Sequence, residues 1–229
     1  MATNDQIINR QRVRELGEVF TAEREVRAML DLVPEMFPAA DRPLDVRRTF
    51  LEPACGRGAF LVEILARKLQ HLDGAVQNPW HLEAYALDAL ASIYGVDIDQ
   101  ENVAASRLAL LRVFAQWLGA RVSGVDESVW DAALVMTREN IKLGNFLGDM
   151  DWIVWTTWTR VGVMRYLRSW STAGGELLEA DAEPVWRHQL GGPMTTAADA
   201  YAAEFTEWEI EDMHGVDPEA EAYWAEPAV

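Results

Sequence analysis

The sequence predicts an α/β protein built on a doubly wound parallel sheet. Short apolar runs typical of buried strands alternate with amphipathic helices along the chain up to about Trp158. A glycine turn joins one strand directly to a helix, and the next strand along the chain ends in an acid. Ligands of open parallel sheets bind outside the carboxyl ends of the strands, so these two features predict a ligand site at that edge.

The first predicted element is an amphipathic helix over Gly17 to Val33. Its apolar residues recur mostly at three- and four-residue steps, with charged residues between them. We expect the hydroxyl of Thr21 to cap the first turn by accepting the free amide of Arg24, and Pro34 to close the far end.

A strand, a glycine turn and a helix then follow in that order. Arg48 to Leu51 is a short strand, Glu52 to Gly58 is the turn, and Ala59 to Leu69 is a helix. The next elements are a helix over His81 to Ala91, a buried parallel strand over Ser92 to Ile98, a helix over Asn102 to Leu118, and two weaker strands over Ile141 to Leu143 and Trp152 to Trp155.

Beyond Trp158 the periodicity weakens and the acidity rises. Gly162 to Trp170 supplies one more strand or helix, and Thr196 to Met213 forms an acidic helix. Of the 37 acidic and 20 basic residues, 14 acids and one arginine lie in residues 176–229, which leaves 23 acids and 19 bases before them. We therefore expect a domain over residues 1–170 and an acidic C-terminal segment over residues 171–229, partly helical or disordered. The body can present a basic cleft to DNA, whereas the tail would repel DNA or imitate it.

Composition also indicates where the protein is located and whether it binds a metal. The chain has no run of about eighteen apolar residues and a polar N-terminus, so we expect a cytoplasmic protein without a membrane segment. The four histidines show no zinc-type spacing, and the single cysteine, Cys55, is expected to be a packing residue. No metal site is predicted.

The glycine turn and the acid together specify a nucleoside ligand. Gly56 and Gly58 let backbone amides approach a ligand closely. Asp97, at the end of the next strand, can accept both hydroxyls of a ribose, and Ile98 can pack on an adenine face. NAD is a poorer fit, because a dinucleotide site wants a third glycine near Leu61 and an acid about twenty residues further on.

Three ordered motifs resemble those of gamma-type adenine-N6 DNA methyltransferases, including the modification subunits of restriction systems. Phe50 to Leu61 (FLEPACGRGAFL) resembles the first motif of that family, and Tyr94 to Asp99 (YGVDID) resembles the second. Upstream, Gly17 to Ala22 (GEVFTA) resembles the N-terminal cofactor motif, with Ala22 where the family usually has proline. The resemblance covers roughly residues 15–155. It implies the Rossmann-like sheet of the S-adenosylmethionine-dependent methyltransferases. The weak pattern past Trp158 predicts that this sheet is truncated in its second half.

The resemblance implies a site for S-adenosylmethionine. In this site Phe20 and Thr21 would lie beside the methionine part, Glu52 would face its amino group, and Gly56 and Gly58 would give backbone access. Asp97 would hold the ribose with Ile98 beside it, and Asn145 takes the place of the aspartate of the third motif.

The catalytic motif of the family has no recognisable counterpart. Family members carry Asn- or Asp-Pro-Pro-Tyr or Phe after the fourth strand, where this chain has Trp155 to Trp158 (WTTW). The Asn or Asp of that motif accepts hydrogen bonds from a flipped adenine, and its aromatic residue stacks on the base. Thr156 and Thr157 could accept one such bond and Trp158 could stack, so these three are weak catalytic candidates. Asn78-Pro79-Trp80 resembles the motif superficially and is read as a loop turn.

Three functions remain open at this point. The first is an adenine-N6 DNA methyltransferase that depends on S-adenosylmethionine and acts alone or with a partner subunit that supplies target recognition. The second is a catalytically silent S-adenosylmethionine-binding subunit with a regulatory or assembly role. The third is an interaction protein whose acidic tail imitates DNA.

Overall fold

The computed structural model describes residues 21–148 and 153–190. They form a mixed α/β structure with a three-stranded parallel sheet, five α-helices and a separate antiparallel sheet. In chain order the elements are α1 (Glu23–Leu30), β1 (Phe50–Glu52), α2 (Ala59–Gln70), α3 (Pro79–Ala91), β2 (Ile93–Asp97), α4 (Gln100–Gly119), α5 (Glu127–Asn140), β3 (Ile141–Leu143), β4 (Val154–Val161), β5 (Arg165–Thr172), β6 (Leu177–Ala180) and β7 (Val185–Trp186).

The parallel sheet has the strand order β1-β2-β3. Glu52 of β1 is level with Gly95 of β2, and Asp97 of β2 is level with Leu143 of β3. Because the three strands run in one direction, their carboxyl ends lie along the same edge. The prediction of an α/β chain with a parallel sheet is confirmed, and β3 has the predicted bounds.

Helices α2 and α4 pack together and against this sheet. A Cβ at Gly95 would lie 3.0 Å from Leu61 Cδ1 and 3.2 Å from Cys55 Sγ, so a glycine at this point of β2 lets the turn and α2 come close. Arg107 of α4 donates from Nε to the carbonyl of Ile141 at 3.1 Å, which ties α4 to β3. The fully buried apolar side chains of the two helices include Leu61, Leu65, Leu69, Phe114 and Leu118.

Helices α3 and α5 also pack on each other, and they carry the antiparallel sheet. The side-chain amide of Asn140, the last residue of α5, donates to the carbonyls of Ala91 and Ile93 at 2.9 and 3.1 Å. Its Oδ1 accepts from Nε1 of Trp158 at 2.8 Å. Asn140 therefore joins the end of α3, the start of β2 and strand β4 at one buried point.

The antiparallel sheet is a hairpin of β4 and β5 with two short strands, β6 and β7, added along β5. Two buried ion pairs attach it to α3. Arg160 of β4 lies 2.8 Å from Asp88, and Arg187, just after β7, lies 3.0 Å from Glu83. Both acids are almost fully buried, and burial raises the pKa of Asp88 while its arginine partners lower it. Such charges are tolerated inside a protein only when they are paired.

Several local predictions need correction. The N-cap of α1 is Ala22, without a side-chain bond, so Thr21 is not the cap. The helix ends at Leu30 and not at Val33, because Pro34 has no N–H to donate to the carbonyl of Leu30. Asn78 does not lie in a plain loop turn: its Oδ1 accepts the amides of Trp80 and His81 and starts α3.

Other predictions meet the limits of the described residues. Gly162 to Trp170 resolves as a turn followed by strand β5, which continues past residue 170. The sheet formed by β4 to β7 therefore includes residues on both sides of the boundary predicted between a domain over residues 1–170 and a C-terminal segment over residues 171–229. The predicted helix over Thr196 to Met213, and most of the acidic segment, lie outside the described residues.

Candidate functional site

The parallel sheet brings the predicted cofactor residues to its carboxyl edge. The amide of Cys55, in the turn after β1, donates to the carbonyl of Val96 at 2.9 Å. On the other side of β2, the amide of Gly144 donates to the carbonyl of Asp97 at 2.9 Å. The glycine turn, the acid and the loop after β3 are therefore held side by side by backbone bonds.

The carboxylate of Asp97 fastens the glycine turn to β2. Its Oδ2 accepts the amide of Gly56 at 2.8 Å, and its Oδ1 accepts the amide of Asp99 at 2.9 Å and Nδ2 of Asn102 at 3.3 Å. A carboxylate offers about four acceptor positions, and three of them face protein donors. A ligand can therefore use the remaining position, whereas contact with both ribose hydroxyls would displace one of the protein's own bonds.

The turn itself depends on left-handed glycines. Gly56 has φ 53° and Gly58 has φ 90°, conformations that side chains with a Cβ rarely adopt. Gly58 is also the N-cap of α2 and contributes no capping side chain. The amides of Gly56 and Gly58 are bonded to Asp97 and to the carbonyl of Cys55, whereas the first turn of α2 has amides that a ligand can use.

Glu52 stands at the end of β1, half-buried beside the turn. Its Oε1 accepts the amide of Ala54 at 3.3 Å. Burial raises the pKa of this carboxyl, and the bond from Ala54 offsets only part of that effect. A cationic group bound next to it would stabilise the ionised form, which suits the predicted contact with an amino group.

Helix α1 brings Thr21 towards the same edge. Arg27 pairs with Glu63 at 3.4 Å and Asp31 pairs with Arg67 at 2.7 Å, a step of four residues along each helix. The two helices therefore run in the same direction, and one more turn back places the start of α1 level with the start of α2. Thr21 precedes that point, while Phe20 lies outside the described residues.

The rim of the site is apolar and exposed. Ile98 follows Asp97 and is 51 % exposed, and Leu143 and Leu147 on the neighbouring strand and loop are 40 % and 97 % exposed. Asn145 shapes this loop, because its Oδ1 accepts the amides of Leu147 and Gly148 at 3.1 and 3.2 Å. Its carbonyl oxygen is used for a local turn, and the side chain is exposed.

The weak catalytic candidates do not lie in a loop at this edge. Thr156, Thr157 and Trp158 sit within β4, where they pair with Trp170, Ser169 and Arg168 of β5. The side chain of Thr156 is fully buried and donates to Glu139 at 3.3 Å. The structure thus corrects the expectation that these residues follow a parallel strand as a catalytic loop would, because the chain turns into an antiparallel hairpin instead.

Nearby aromatic and thiol groups are also engaged in packing. Trp155 meets Tyr94 of β2 edge-to-face at 5.8 Å, and the hydroxyl of Tyr94 donates to the carbonyl of Thr156 at 2.7 Å. Burial raises the pKa of Cys55 to about 12, so its thiol stays protonated and unreactive. This agrees with the expected packing role of Cys55.

Sequence analysis missed two polar residues that hold the site, Asn102 and Ser106. Both lie on α4, both are buried, and they bond to Asp97 and Gly56 respectively. Their signal was present in the sequence: two polar residues four apart, directly after the acid, on a helix otherwise rich in apolar residues.

Within residues 21–148 and 153–190, no group of three His, Cys, Asp or Glu side chains converges so that it could hold a metal ion. No helix in this part of the chain has the length and apolar character needed to cross a membrane. Comparison of the chain with protein-family models, curated proteins and solved structures gave no match. The family resemblance of the motifs therefore stays a prediction.

Proposed function

We propose that this chain binds S-adenosylmethionine at the carboxyl edge of its parallel sheet, as the cofactor-binding half of an adenine-N6 DNA methyltransferase. The observation that carries the proposal is the left-handed glycine turn between β1 and α2, bonded through the amide of Gly56 to the acid that ends the neighbouring strand. The three-stranded sheet would be one half of a doubly wound methyltransferase sheet.

The groups at this edge fit the proposed cofactor. Glu52 is a carboxylate with acceptor capacity for the amino group, and the uncapped first turn of α2 presents amides to the carboxylate of the methionine part. Asp97 keeps one acceptor position for a ribose hydroxyl, and Ile98 is exposed beside it for the adenine. When bound, S-adenosylmethionine supplies an activated methyl group. The residues of this chain bind and orient it.

A partner subunit is part of the proposal. In a doubly wound sheet the first strand is internal, flanked by the second strand on one side and by the fourth on the other. Among the described residues β1 pairs only with β2, and β4 belongs to the antiparallel sheet. We therefore propose that another chain supplies the catalytic loop and target recognition, with DNA as the substrate.

Calorimetric titration of the purified chain with S-adenosylmethionine and S-adenosylhomocysteine tests the binding step. We expect saturable binding, weakened about tenfold by Glu52→Gln, because the neutral amide loses most of its attraction for the amino group. Glu127→Gln is the matched control, since Glu127 is an exposed acid at the start of α5. If neither compound binds the wild-type chain, the proposal is wrong.

A catalytically silent binding subunit is the second candidate. It is favoured by the burial of Thr156, whose hydroxyl donates to Glu139 at 3.3 Å, and by the bond of Trp158 to Asn140. Transfer of a labelled methyl group to DNA, measured with and without candidate partner subunits, separates the two. Cofactor binding without transfer in any combination supports the silent subunit.

A further inference from the structure

A buried serine on α4 holds the glycine turn. The hydroxyl of Ser106 donates to the carbonyl of Gly56 at 2.7 Å and lies 3.7 Å from the sulfur of Cys55. A Cβ at Gly58 would meet Ser106 Cα at 3.1 Å, so the helix backbone also lies directly against the turn. Ser106 has no exposed surface. One buried residue thus lies against three positions of the turn.

Asn102 lies one helical turn before Ser106 and supports Asp97, the acid beside the glycine turn. Its Nδ2 donates to Oδ1 of Asp97 at 3.3 Å. Residues four apart share one face of a helix. A single face of α4 therefore supports both the acid and the glycine turn, and neither supporting residue lies on the open side of the site.

Both backbone polar groups of Gly56 form hydrogen bonds within the protein itself, without a ligand. Its N–H is bonded to Asp97 and its C=O to Ser106. Rotating either peptide of the turn would break a bond to a buried partner, which is unfavourable when no water can replace it. The turn leads directly into α2, so the direction of the first amides of that helix is fixed as well.

We propose that Ser106 is a positioning residue for cofactor binding. Its hydroxyl fixes the glycine turn in the orientation that the ligand meets, and affinity depends on it although it does not touch the ligand. The physical basis is preorganisation: a turn that is already ordered loses less freedom when the ligand binds. This inference rests on the proposed function and adds a residue to that same site.

The test measures the affinity of the full chain for S-adenosylhomocysteine by calorimetry in three variants. Ser106→Ala removes the hydroxyl, and we expect the Kd to rise about tenfold. Ser106→Cys, measured under a reducing agent because its thiol would lie beside Cys55, keeps a weak donor of similar shape, so it should restore part of the affinity. Ser128→Ala is the matched control, because Ser128 is a buried serine on α5 whose hydroxyl is bonded to Arg187 at 2.6 Å and not to the turn. Its Kd should change less than twofold while its Tm falls.

The outcomes separate this inference from the proposed function. If the wild-type chain binds and Ser106→Ala binds equally well, Ser106 is not a positioning residue and the proposed function stands. If Ser106→Ala and Ser128→Ala lose affinity in proportion to their loss of Tm, the effect is global stability and the inference is again wrong. Failure of the wild-type chain to bind overturns both. Should Ser106→Ala not fold, Asn102→Ala tests the same face of α4, with a severalfold rise in Kd expected and an unchanged Kd refuting the role of that face.

Discussion

Replacing Asp97 by asparagine should destabilise the protein even without a ligand. An amide has one oxygen where the carboxylate has two, so one of the two acceptor sides becomes a donor. The less costly orientation keeps the bonds from Asp99 and Asn102 and turns the new NH2 group towards the amide of Gly56. One charge-assisted hydrogen bond is lost and a donor is left facing a donor. We expect the free energy of unfolding to fall by about 2 kcal/mol.

Urea unfolding followed by tryptophan fluorescence measures this change, since the chain has ten tryptophans. Asp99→Asn is the matched control: Asp99 caps α4 through the amide of Glu101, and asparagine caps a helix about as well as aspartate. The control should lose less than half as much stability. Equal losses at the two positions would refute the role of the Asp97 carboxylate as the fastener of the glycine turn.

Three further predictions concern the turn, a buried base and a buried ion pair. Gly58→Ala should lower the free energy of unfolding by about 2–3 kcal/mol, because the residue has a left-handed φ and its new Cβ would lie 3.1 Å from Ser106 Cα. Gly56→Ala has open space around its Cβ position and should lower it by about 1 kcal/mol in the same urea assay. Burial lowers the pKa of Lys68 from 10.5 to about 7, so between these pH values the unfolded chain binds more protons than the folded one and the free energy of unfolding rises with pH. In Lys68→Met this rise should be shallower by up to about 1.4 kcal/mol per pH unit, and parallel pH profiles of the two proteins would contradict the prediction. Arg187→Met leaves the buried Glu83 without this arginine and should lower the free energy of unfolding in urea by about 3–5 kcal/mol. Adding Glu83→Gln should restore part of that loss, and no restoration would show that the two residues are not coupled.

Local patterns were enough to predict the parallel half of the fold. The alternation of apolar runs and amphipathic helices located β2 and β3 and the helices α2, α3 and α4 to within one or two residues. The glycine turn and the acid on the next strand were predicted to meet, and they do. Strand order supplies the reason: consecutive parallel strands are usually neighbours, so their carboxyl ends lie together.

Helix α5 and the antiparallel sheet were not predicted. Helix α5 had a clear signal, with Asp126 as N-cap and Val129, Ala132, Ala133 and Met136 at helical spacing. The hairpin is different, because β-branched and aromatic residues over Val154–Val161 indicate a strand but not the partner or the direction of pairing. That choice depends on tertiary contacts such as those of Asn140 with Trp158. It also decides that Thr156 is buried, which short-range patterns could not indicate.

The two arginine contacts on α3 have a geometrical consequence. Glu83 and Asp88 are five residues apart, or about 7.5 Å along the helix axis. Arg160 of β4 and Arg187 after β7 contact the helix at these two separated points, so together they help to fix the angle of the antiparallel sheet on α3. Loss of one ion pair would therefore loosen that angle, while the bonds of Trp158 to Asn140 and of Tyr94 to Thr156 would still hold β4 in place.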